Sequence, residues 1–145
     1  MLKLMKKNST VAAGEKAVNL TSQAGIRAGG FFILGYPGET NQTILETINF
    51  SSALPLNYLS YTVPYPLPGT DLFELLKDRI NKGVRWISPK SHRLLYRSDF
   101  SLFKLKFAMA KGLIQHWIRS RWGRFGLVIE AAFRRATDII FKLLR

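Results

Sequence analysis

Two turns carry most of the chemistry this sequence could do: Gly35-Tyr-Pro-Gly-Glu-Thr40 and Tyr65-Pro-Leu-Pro-Gly-Thr70. The first is glycine-rich enough to suggest a phosphate cradle, yet it has no lysine to reach a phosphate and no GxGxxG spacing. A tight strand-to-helix turn is the simpler reading. His92 and His116 have no third partner at metal-ligand spacing, so no metal site is assigned. His92 is read in a polar loop and His116 on a basic helix face. The chain has no cysteine. That excludes disulfides, thiolate-held zinc, a cysteine nucleophile and a thiolate-ligated iron–sulfur cluster held by this chain. No catalytic residue is assigned.

The elements around these turns alternate. Residues 11–24 read as a helix between a Thr10 cap and Gly25. Phe31–Leu34 is an unbroken apolar run, which predicts a strand covered on both faces, as in a parallel sheet. A helix over 41–53 follows, capped by Thr40 or Asn41, with Ile44, Leu45 and Ile48 in one stripe and Pro55 closing it. Residues 58–63 are β-prone. Pro64, Pro66 and Pro68 make the next stretch a rigid loop, and Thr70 caps a helix over 71–82. Helix–strand–helix–strand–helix is the pattern of parallel β/α units. Two strands cannot form a parallel sheet buried on both faces, so the unit needs neighbours, and its free edge favours self-association.

Charge divides the chain. Residues 1–75 balance five Lys/Arg against five acids, so residues 76–145 carry the whole net charge of +13. A loop over 84–100 leads to two basic amphipathic helices, 102–121 and 126–144, separated by Gly123-Arg-Phe-Gly126. Their apolar stripes, Phe103, Phe107, Ala110, Ile114, Trp117 and Ile118 against Ile129, Ala132, Phe133, Ala136, Ile140 and Leu144, predict a hairpin with an apolar seam. Three readings of its basic exterior stay open. It is a solvated surface, it faces nucleic acid such as RNA, or it lies on an anionic membrane with Trp117, Trp122 and Phe125 at the interface. The charged start lacks a secretory signal, and the longest uncharged run, Thr47–Thr70, is broken by prolines. The expected compartment is the cytoplasm, with peripheral membrane attachment under the third reading.

The segment Gly30-Phe-Phe-Ile-Leu-Gly-Tyr-Pro-Gly-Glu-Thr40 resembles the fifth strand and following turn of radical S-adenosylmethionine barrels. The branch it is most similar to contains cobalamin-binding members and tRNA methylthiotransferases. Tyr65-Pro-Leu-Pro-Gly-Thr70 is similar to the loop leaving the sixth strand, and Leu2-x-x-Met5-Lys-Lys with Ala24-Gly-Ile26 to the helix before the fifth. The resemblance covers about residues 1–82; none is seen over 83–145. It implies an α/β fold: a partial (β/α) barrel fragment with two parallel strands and three helices, followed by a basic α-helical extension. The expected divisions are a barrel part over 1–83, a linker over 84–100 and a helical hairpin over 101–145.

The resemblance also implies cofactors for the complete enzyme. These are S-adenosylmethionine and a four-iron–four-sulfur cluster held by a CxxxCxxC loop, with cobalamin an option in the parent. Carried onto this chain, Ile33 packs on adenine, Gly35 admits close backbone approach, and Val63 and Pro64 sit beside the base. Glu39 corresponds to a family acid. Two departures from the usual GxIxGxxE form stand out: Phe31 occupies the first glycine position, with Gly30 one residue early, and the acid falls at 39 rather than 38. With no CxxxCxxC, the expectation is the C-terminal fragment of a radical enzyme, inactive alone, whose missing strands another chain would supply. The alternative is a small non-catalytic protein that binds anionic membrane or RNA through its basic helices.

Overall fold

A computed structural model describes residues 2–84 and 94–144, and the backbone alone at Arg124. Helix α1 (Val11–Gln23) begins where the Thr10 hydroxyl accepts the Ala13 N–H at 3.1 Å, and ends at Ala24. Strand β1 (Gly29–Ile33) leads into α2 (Asn41–Ala53). Its start is fixed by a reciprocal cap in which the Thr40 and Thr43 side chains each accept the other's backbone N–H. Strand β2 (Tyr58–Thr62) then returns beside β1 in the same direction, Gly29 opposite Tyr58 and Ile33 opposite Thr62. The parallel β/α unit expected from the sequence is present.

The third helix is shorter than the 71–82 expected. Helix α3 (Asp71–Leu76) passes into a single 3-10 turn, Lys77–Arg79. The cause is a tie to the far side of the loop: Ile80 bridges Tyr96 antiparallel, and the Arg97 and Asn81 N–H groups donate to the Arg79 and Leu95 carbonyls. Arg79 also donates to the Arg97 carbonyl and pairs with Asp99 at 2.7 Å. His92 lies outside the described residues.

Helix α4 (Leu102–Leu143) is broken at Gly123, where φ is 52° and ψ −133°. Glycine reaches that region freely and other residues do not. The chain doubles back there, bringing Lys104 against the Leu144 carbonyl and Lys111 against Asp138. The first arm of this hairpin packs on α2 and β2. Leu105, Ala108, Met109 and Phe141 join Leu34, Ile44, Ile48, Leu59 and Val63 in one hydrophobic core, so the two halves of the chain share it.

Three further expectations are corrected. β1 is not covered on both faces: Phe32 and Leu34 turn toward the helices, but Phe31 is 75% exposed. Among the described residues the buried core lies on the Phe32 and Leu34 side. The hairpin seam is not apolar either. The first arm spends its best apolar face (Leu105, Ala108, Met109) on the sheet and α2. The seam, about a quarter turn away on the helix, therefore falls on Lys104, Lys111, Gln115 and Ile118. The stripe through Phe103, Ala110, Ile114 and Trp117 is real but points outward. His116 is likewise not on an outward basic face. Its two ring nitrogens lie 3.3 and 3.1 Å from the Ser52 and Leu56 carbonyl oxygens, pinning the first arm to the end of α2.

Candidate functional site

The Gly35 turn is held from three directions. Its N–H donates to Glu39 Oε2 at 2.6 Å, and the Tyr36 N–H donates to the same oxygen at 3.1 Å. Its carbonyl accepts the Tyr96 hydroxyl at 3.0 Å. Its φ is +84°, and a Cβ there would lie 2.8 Å from Leu105 Cδ1. Only glycine meets both demands. Burial raises the Glu39 pKa above the usual carboxylate range, against the pull of the two N–H bonds. Tyr96 is buried, and its phenol is pushed up to about 12 by desolvation, so it remains a donor.

Five residues were expected to belong to the cofactor site, and the structure distributes them. Ile33 presents its side chain to the open face of the sheet, 37% exposed, on the same side as Phe31, Tyr58 and Thr62. Phe31 and Tyr58 meet there with ring centroids 5.6 Å apart and planes tilted by 54°. Val63 turns the other way and is 4% exposed in the helix-covered core. Pro64 is fully buried beside it. Gly35 and Glu39 are engaged with each other at the end of β1. The side chain brought to the open face is thus that of Ile33, while those of Val63 and Pro64 are withdrawn into the interior.

A cleft of about 590 Å³ runs along the outer edge of β1, between the N-terminal segment with α1 on one side and α2 on the other. Phe31, Phe32 and Ile33 all line it, as do Thr47 and Phe50. Consecutive strand residues point to opposite faces, so a cavity touched by all three lies at the strand's edge. Leu34 N–H donates to Thr62 and Ala28 carbonyl accepts from Tyr58, which puts the even-numbered residues of β1 in the ladder. The N–H and C=O groups of residues 29, 31 and 33 face the cleft. The sequence pointed to a free sheet edge but not to Tyr96, Leu105 or Tyr61. Gly112 gave one available signal: a glycine inside a helix often marks close approach. A Cβ at Gly112 would sit 2.7 Å from Tyr61 Cζ, whose hydroxyl pairs with Ser51 at 2.6 Å.

No group of three or more metal-binding side chains occurs among the described residues. With no cysteine anywhere in the sequence, the donor set does not fit an iron–sulfur cluster. An apolar ligand face fits the surface better, since it offers Ile33 beside the exposed, mutually tilted rings of Phe31 and Tyr58.

Fold and face together define a parallel β/α unit whose sheet is open on one side. No protein-family model matches the sequence. Relatives are nevertheless clear. An uncharacterized methyltransferase of Pyrococcus horikoshii is 35% identical over 158 aligned residues, taking in 98% of this chain and 33% of that protein. A tRNA-2-methylthio-N(6)-dimethylallyladenosine synthase of a Psychrobacter species is 33% identical over 81 residues, 54% of this chain and 16% of the relative. An anaerobic magnesium-protoporphyrin IX monomethyl ester cyclase of Cereibacter sphaeroides is 30% identical over 79 residues, 54% of the chain and 13% of the relative. The chain belongs to the radical S-adenosylmethionine superfamily, in the branch that these relatives share. It spans a third or less of their lengths. The 98% coverage also carries the similarity through the basic hairpin, where the sequence alone had suggested none.

Proposed function

We propose that this chain supplies the adenine-side wall of an S-adenosylmethionine site in a radical enzyme, and that it acts only with further barrel strands and a cluster provided from outside its 145 residues. The observation that carries this reading is the lopsided sheet. Two parallel strands are sealed beneath by α2 and α4, while Phe31, Ile33 and Tyr58 stay uncovered above. Apolar surface of that kind is stable when something lies on it. The open face offers the base a hydrophobic platform. The cleft along β1 offers the adjoining strand a row of backbone donors and acceptors. Substrate chemistry belongs to the remainder of the enzyme, which works in the cytoplasm with or without cobalamin.

The cofactor, when bound, supplies the radical chemistry. This chain's part is to seat its adenine and keep water from that side. The test is reconstitution with a polypeptide carrying the CxxxCxxC half. Formation of 5′-deoxyadenosine should require both chains. Ile33→Asp should raise the KM for S-adenosylmethionine by about tenfold or more, as expected for placing a charge against an apolar ligand, while the iron content of the complex stays constant. A cluster-loaded complex whose KM ignores Ile33→Asp and Phe31→Ser would remove the cofactor-wall reading.

A further inference from the structure

The helical hairpin is turned inside out. Its seam buries charge: Lys111 donates to Gln115 at 2.7 Å, Gln115 donates to Glu130 at 2.6 Å, and Arg119 pairs with Glu130 at 3.0 Å. Its second arm meanwhile turns Phe125, Val128, Ala132, Ile139 and Leu143 to the outside. These residues recur at helical spacing on the side opposite Glu130 and Phe141, a stripe about 27 Å long. Residues 102–143 contain two acids, Glu130 and Asp138, and both turn into the seam. Every exposed charged side chain described on α4 is a cation: Lys106, Arg121, Arg135 and Lys142. Arg135 and Lys142 border the stripe.

We propose that this outer face of the second arm is a docking surface for an anionic lipid bilayer, on which the arm lies in the plane of the interface. Aliphatic and aromatic side chains enter the acyl boundary while the bordering cations meet the headgroups. No described helix is long and apolar enough to cross a membrane, so the contact is peripheral. The aliphatic character of Val128, Ile139 and Leu143 favours lipid over nucleic acid, whose readers use cations with stacking rings. A second copy of the chain would bring the same cations toward one another, with no outward acid on the helix to answer them. The surface is separate from the sheet's open face and does not depend on its occupant.

The test is co-sedimentation of the full chain with phosphatidylcholine vesicles containing or lacking phosphatidylglycerol. Binding should require phosphatidylglycerol and decline with salt. The pair Arg135→Glu/Lys142→Glu should weaken it by about thirtyfold or more. Val128→Ser/Ile139→Ser should abolish it, with circular dichroism confirming the fold of each variant. Because the chain has no cysteine, Ala132→Cys gives a unique position for a polarity-sensitive dye, whose emission should shift to the blue on anionic vesicles. Three results would each overturn the proposal: no vesicle binding, binding to single-stranded RNA that exceeds vesicle binding and ignores the serine pair, or a dimer that the serine pair dissociates in a protein that ignores vesicles.

Discussion

The Tyr96 hydroxyl donates to the Gly35 carbonyl across 61 residues of sequence, joining the chain beyond the second strand to the turn that follows the first. Tyr96 is buried, and so is the bond it makes. Tyr96→Phe removes the donor and keeps the ring, leaving a carbonyl oxygen without its partner. Loss of about 2 kcal/mol is expected, read as a lower urea midpoint at unchanged slope. Tyr96→Leu should cost more, because the ring's packing goes with the bond.

Glu39 gives a pH signature. Its folded pKa is raised, so the folded state holds that proton more tightly than the unfolded chain does. Stability therefore falls as pH rises from the ordinary glutamate value through the raised one. Glu39→Gln keeps an acceptor for the Gly35 and Tyr36 N–H groups and removes the charge. It should flatten this slope and leave neutral-pH stability equal or higher. Glu39→Ala strands both donors and should cost about 3 kcal/mol. Thermal unfolding between pH 4 and pH 8 (a range set by ordinary carboxylate titration) separates the two.

Lys111 predicts the opposite slope. Burial lowers its pKa below the usual lysine value, with Asp138 and Glu130 pulling the other way and Arg134 adding to the lowering. The folded state then holds fewer protons than the unfolded chain up to the ordinary lysine value, and stability rises with pH through that window. Asp138 Oδ1 lies 2.9 Å from the Lys111 ammonium, close enough for an ion pair though not aligned for a hydrogen bond. Lys111→Met leaves that carboxylate without its cation and should cost about 3 kcal/mol. Adding Asp138→Leu should return most of the loss, a non-additivity that a double-mutant cycle in urea measures directly.

The parts legible in the sequence were those with local causes. Thr10, Thr40 and Thr70 cap the helices expected of them, because capping is a contact across three residues. The parallel pairing of β1 and β2 follows from the helix between them. What stayed hidden had distant causes. Phe31–Leu34 reads as doubly buried because all four residues are apolar, and nothing local says that one face of this chain is left open. The hairpin's periodicity shows a stripe but not its direction. Which face turns inward was decided by Gly112 seating against Tyr61 and by His116 reaching Ser52 and Leu56. Of the candidate site, the place of Ile33 on a strand was legible, but not the face its side chain would take. The burial of Val63 and Pro64 and the locking of Gly35 by Tyr96 and Leu105 required the fold.

The break at Gly123 has a topological consequence. Nothing lies within 4 Å of a Cβ built there, so glycine is required at 123 by its backbone angle and not by a close neighbour. A β-branched residue at 123 would refuse that conformation and favour an unbroken helix of 42 residues, about 63 Å from end to end. Extended in this way, the second arm would abandon Lys111 and Gln115 in its own molecule, and two such rods would exchange arms. Size-exclusion chromatography of Gly123→Val should then show a swapped dimer, and a variant that elutes like the parent chain would contradict this role for the backbone at 123.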